Sequence, residues 1–75
     1  MDQFYYTVNI DNDRTLCLSQ MTDRLISLCD QDIGDASGYF LYERRTRGEI
    51  VNVEVIARVL SDEAAMRLRE AFNMT

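Results

Sequence analysis

Three groups of residues in this 75-residue chain have types and spacings that could do chemistry. Asp30-Gln31-Asp32-Ile33-Gly34-Asp35 crowds three carboxylates into six positions, an oxygen density that suits hard cations such as calcium. The spacing departs from a calcium loop, which wants Gly at its sixth position and a bidentate Glu at its twelfth. Counted from Asp30, Gly34 is fifth and Leu41 is twelfth. The default is therefore no metal and no cofactor, with Asp30, Asp32 and Asp35 as the residues that would hold an ion if one bound. Arg44-Arg45-Thr46-Arg47, led into by Tyr39, Phe40 and Tyr42, is the second group. Aromatic side chains beside arginines can hold single-stranded nucleic acid, but a basic hairpin tip also discourages edge-to-edge aggregation. The third is the thiol pair Cys17 and Cys29. Each lies beside leucine, where cysteine packs as a small hydrophobe, and both are expected to be reduced.

Enzymatic chemistry finds little to work with. The chain has no His, so nothing titrates near neutrality without a strong shift. It has no Lys for a Schiff base, and neither thiol has an imidazole to activate it. The expectation is a non-enzymatic protein.

Charge is unevenly distributed. Residues 1–38 hold seven Asp against Arg14 and Arg24, a net of −5, whereas residues 39–75 balance six acids with six Arg. An acidic chain is a poor match for nucleic acid or an anionic membrane, which leaves protein partners as the default. There is no apolar run of about 20 residues for a membrane span. Met1-Asp2-Gln3 lacks the basic-then-apolar pattern of a signal peptide, and a cytoplasmic location is the expectation.

The elements that would position these residues form one small α+β domain over residues 1–75. Phe4, Tyr6, Val8 and Ile10 alternate as a half-buried strand. Arg14 to Leu18 reads either as a returning strand or as the start of a helix, and the spacing of Leu18, Met21, Leu25 and Leu28 favours helix over about 20–33, firm from Thr22. A hairpin spans about 39–60, followed by a helix over about 62–73 that opens on Ser61-Asp62-Glu63. The expected product is an antiparallel sheet of three to four strands with two helices, in the order β(β)αββα. A three-residue turn Thr46-Arg47-Gly48 would pair Leu41 with Val53 and Tyr39 with Val55. It would put Val51, Val53, Val55, Ala57 and Val59 on one face. Phe40, Tyr42, Ile50, Ile56 and Leu60 would then share the other face with Arg44 and Arg58.

That second face mixes large apolar groups with arginine, as interfaces do. A 75-residue domain also gains from association, being near the lower limit for a self-sufficient core. Phe40, Tyr42, Ile50 and Ile56, rimmed by Arg44 and Arg58, are thus the expected interface of a homodimerising interaction module. The alternatives are that one helix covers each face of the sheet, and a ligand- or metal-sensing domain built on the Asp-rich half.

Overall fold

The computed structural model describes residues 5–75, which form β1 (Tyr5–Asn9), β2 (Arg14–Gln20), α1 (Asp23–Ser27), β3 (Tyr39–Arg47), β4 (Ile50–Val59) and α2 (Asp62–Ala71). The four strands make one antiparallel sheet in the order β1-β2-β3-β4. Arg14 to Gln20 is therefore strand, the reading that the helical spacing of its leucines had weighed against. Phe4 lies outside the described residues. The order is strand–strand–helix twice over, but the two helices pack on opposite faces, which a simple translated repeat would not give.

The two faces build separate cores. On one, Leu16, Leu18, Leu41 and Val59 pack with Ala65 and Met74, with Tyr6, Val8, Tyr39 and Leu68 around them. On the other, Cys17, Phe40, Tyr42 and Val53 pack with Met21, Leu25, Leu28, Cys29 and Ile33. Phe40 and Tyr42 are 3% and 1% exposed, so the expected interface loses its aromatic residues. The α1 segment covers them within the same chain.

The register of the β3–β4 hairpin also differs from expectation. Arg47 pairs with Ile50, so the loop is the two residues Gly48-Glu49, with Gly48 at φ 59. A two-residue hairpin whose first loop residue has positive φ matches the right-handed twist of its strands, and Gly adopts that φ without steric cost. Arg44 is thereby opposite Val53 and Tyr42 opposite Val55, whereas Leu41 is opposite Ala57. Ile56 is the extra residue of a β-bulge. Past a bulge the alternation of side chains reverses. Val53 therefore faces α1 while Val59 faces α2.

Local signals account for the helices. Thr22 and Ser61 are N-caps: the Leu25 N–H donates to Thr22 Oγ1 at 3.2 Å and the Ala64 N–H to Ser61 Oγ at 3.1 Å. α1 is much shorter than the expected 20–33, because the chain leaves it to run beside β4. Leu28 O accepts the Val53 N–H at 3.1 Å, and the Gln31 side-chain amide bonds both ways to Val55. Asn73, at φ 55, turns the chain out of α2, with the Met74 N–H closing on Arg69 O at 2.9 Å. This is a helix ending more often made by Gly. It buries Met74 and lays Thr75 along β1, where Thr7 and Thr75 exchange two 3.0 Å backbone hydrogen bonds.

Reversal of the faces at Ile56 makes a specific expectation. Val59→Asp should cost about 3 kcal/mol or more by burying an unpaired charge, and Val53→Asn about 2 kcal/mol by burying an amide, since an Asp at 53 could pair with Arg44 opposite it. Ile56→Asp should cost under about 1 kcal/mol, as for other exposed positions. Urea midpoints for the three variants check this; a severe Ile56→Asp with a mild Val59→Asp would place the bulge elsewhere.

Candidate functional site

α1 has five residues and is about 8 Å long, too short to roof the sheet face beneath it. Beside it lies a groove of about 740 Å³ to which every strand contributes. β1 supplies Tyr5, β2 Ser19 and Gln20, β3 Tyr42, Arg44 and Thr46, and β4 Val51. The wall is Met21, Thr22, Arg24, Leu25 and Leu28.

Alternation along β3 puts Tyr42, Arg44 and Thr46 on this face together. The Tyr42 hydroxyl and Ser19 Oγ lie 2.8 Å apart in a buried hydrogen bond. Arg44 Nη1 donates to the Tyr5 hydroxyl at 3.1 Å. That bond reaches from β3 to β1, across the intervening β2, and holds the guanidinium over the sheet.

The charge of the groove is unlike that of the chain. Its lining contains two arginines and no acid, in a protein with thirteen acids and eight arginines. Elsewhere four of the six arginines are paired. Arg14 bonds Asp11 at 2.8 Å, Arg67 bonds Glu63 at 3.1 Å, and Arg45 bridges Glu43 and Glu54 at 2.6 and 3.1 Å. Glu43 and Glu54 are opposite one another in the hairpin, an arrangement that repels unless a cation sits between them. Among the described residues, Arg24 and Arg44 form no ion pair, nor do Arg47 and Arg69, the last of which lies over the Tyr6 ring at 4.6 Å.

The residues expected to matter are distributed as follows. Arg44 and Tyr42 line the groove, with the Tyr42 hydroxyl bonded to Ser19. Ile50 and Ile56 stay on the surface at 64% and 54% exposure, with Leu60, but apart from the groove. Arg58 is occupied by its own loop: it bonds Asp35 Oδ2 at 3.3 Å and Ser37 Oγ at 2.9 Å, and sits 5.7 Å from the Phe40 ring centroid. The basic run 44–47 is divided, because Arg44 and Arg45 project to opposite faces. The acids at 30–35 do not converge. Asp32 accepts from the Gly34 N–H and Asp35 from the Ser37 N–H and Arg58, and no group of three potential metal ligands occurs among the described residues. The Ser37 backbone N–H is the first cause holding the Asp35 carboxyl below the usual carboxylate range.

Tyr5, Met21 and Arg24 were not singled out from sequence. Tyr5 could have been, because it shares a β1 face with Thr7 and Asn9, away from the core-facing Tyr6 and Val8. Arg24 carried no signal beyond its place in the first turn of a helix.

No family model, curated protein or solved structure matches this chain. Among the described residues no helix is long and apolar enough to cross a membrane.

Two expectations concern titratable groups beside the groove. Burial pushes the Tyr42 hydroxyl up to about 12 from 10.0, opposed by its bond to Ser19. The folded state thus favours the neutral phenol. That contribution is intact below pH 10 and lost as pH rises towards 12. Tyr42→Phe should cost about 1 kcal/mol at pH 8 by removing the Ser19 partner, yet show a shallower loss of stability between pH 10 and 12 than wild type. Parallel slopes for the two proteins would contradict the buried placement.

The two thiols are free. Burial raises the Cys17 thiol and leaves it fully enclosed, whereas Cys29 is half-buried with Sγ 3.3 Å from Gln31 Oε1. An aromatic disulfide reagent should label Cys29 in the native protein and Cys17 only on unfolding, because access controls the rate. Two thiols reacting at one rate would contradict this.

Proposed function

We propose that this chain is a non-enzymatic protein-interaction module that takes a segment of a partner protein into the groove beside α1. The observation that carries the reading is the lining itself: apolar side chains from α1 and β4, with arginines that lack an acid partner. Concave apolar surfaces with a few placed polar groups are where proteins bind ligands. The form of the groove favours a polypeptide, since it is open and crosses the sheet from Tyr5 of β1 to Val51 of β4.

Strand addition, the other common route to peptide binding, is less well served. Thr75 occupies Thr7 on the β1 edge, while Leu28 and Gln31 occupy Val53 and Val55 on the β4 edge. A surface groove is the better served mode. Reduced Cys17 and Cys29 support a cytoplasmic setting. Of the face expected for self-association, Ile50, Ile56 and Leu60 stay exposed, as do Tyr5, Ile10 and Phe72 elsewhere among the described residues, and single exposed apolar residues are ordinary at protein surfaces.

Site-specific photocrosslinking in the native host tests the reading. A benzophenone amino acid at Thr46, on the rim of the groove, should give a discrete protein adduct, and the same group at Glu70 on α2 should not. Leu25→Glu should abolish the Thr46 adduct by placing a carboxylate in the groove wall. Adducts of equal yield from both positions, or from neither, would sink the proposal, and an adduct of twice the chain's mass would identify a second copy as the occupant.

A further inference from the structure

We infer that the segment taken by the groove is acidic and amphipathic, with an apolar anchor seated against Leu25, Leu28 and Val51 and a carboxylate received by Arg44. This rests on the interaction reading and specifies the chemistry of the partner.

The charge argument begins with what Arg44 lacks. A guanidinium offers five N–H donors in a planar fork suited to a carboxylate. Only one bond from Arg44 is made within the described residues, from Nη1 to the Tyr5 hydroxyl. Tyr5 is a neutral acceptor, so it orients the guanidinium without neutralising it. The guanidinium is also partly withdrawn from solvent, since Arg44 is half-buried. An ion pair there is screened less than one on an open surface.

Of the six arginines outside the groove, four hold their charge against a carboxylate, whereas Arg69 lies over the Tyr6 ring and Arg47 forms no ion pair among the described residues. Arg14, Arg45, Arg58 and Arg67 each have a carboxylate within 3.3 Å. Arg44 shares its strand with Arg45 and differs from it in having none. Arg24, in the groove wall, adds a second positive charge on the same side. A basic segment entering this groove would meet like charge at both positions, which disfavours wrong partners as strongly as attraction favours right ones. An apolar segment without acids would leave Arg44 covered and unpaired, at the cost that attends a buried charge.

The apolar part follows from the wall. Leu25, Leu28 and Val51 are each partly exposed. A side chain of leucine, isoleucine or phenylalanine type would remove their remaining surface from water, which favours binding in proportion to the apolar area covered.

Panning a random twelve-residue peptide library on the intact chain tests this directly. Enriched peptides are then measured by fluorescence anisotropy against wild type, Leu25→Glu, Arg44→Gln, Arg44→Lys and Arg24→Gln, each first shown by circular dichroism to be folded. Val51→Glu replaces Leu25→Glu if the latter does not fold. The expected pool combines Asp or Glu with Leu, Ile or Phe. Its binding should fall at least about tenfold in Arg44→Gln, recover in part in Arg44→Lys, and weaken as salt rises from 50 to 500 mM. Peptides that are neutral or basic, that Leu25→Glu blocks and Arg44→Gln leaves unchanged, would overturn the acidic-partner inference and leave the groove reading standing. A library yielding no binder, or binders indifferent to Leu25→Glu, would overturn both.

Discussion

The extra residue at Ile56 is the constraint on which the rest of the structure depends. A strand with unbroken alternation would send every odd residue of β4 to one face. The bulge divides them, so Val53 joins Phe40 and Tyr42 while Val59 joins Leu16, Leu18 and Leu41. One strand thus supplies both cores, and a 75-residue chain can fill two layers around a single sheet. Without that division the α1 face would hold more valine and the α2 face less, leaving one helix without a complete surface to pack on. The groove is a by-product of the same arrangement. Two cores require a helix on each face, and the helix available to the second face is only five residues long.

Both edges of the sheet are partly covered by the chain itself. An exposed strand edge invites pairing with another chain. Here Thr75 extends the sheet beyond β1, and the segment leaving α1 runs beside β4 with the Gln31 amide standing in for a backbone peptide. Arg58 gathers the loop that follows, through Asp35 and Ser37, and lies against Phe40. These contacts fix the connection that α1 needs in order to sit over Tyr42 and Cys17. They also direct recognition away from the edges and towards the face.

Much of this was legible in the sequence because it is written locally. Thr22 and Ser61 are cap residues wherever they occur, and β3 reads correctly as two alternating faces from Tyr39 to Arg45. The length of α1 was not legible: nothing local to residues 28–33 says that β4 will compete for Leu28 O and Gln31. The hairpin register failed for a related reason. Gly48 sits at a positive φ, but a two-residue loop and a three-residue loop both want a glycine there, and the bulge at Ile56 has no glycine to mark it. Of the site, Arg44 and Tyr42 were visible as neighbours on one strand face. Their surroundings were not, because Tyr5, Met21 and Arg24 meet them only through the tertiary fold.

The most direct measurement is a methyl-resolved nuclear Overhauser spectrum of the protein with Val and Leu methyls labelled. The account predicts that the Val53 methyls share cross-peaks with the Tyr42 ring and Leu28, and that the Val59 methyls share them with Ala65 and Leu41. Cross-peaks from Val53 and Val59 to the same helix would show that β4 alternates without interruption. That result would contradict the two-core arrangement and, with it, the groove.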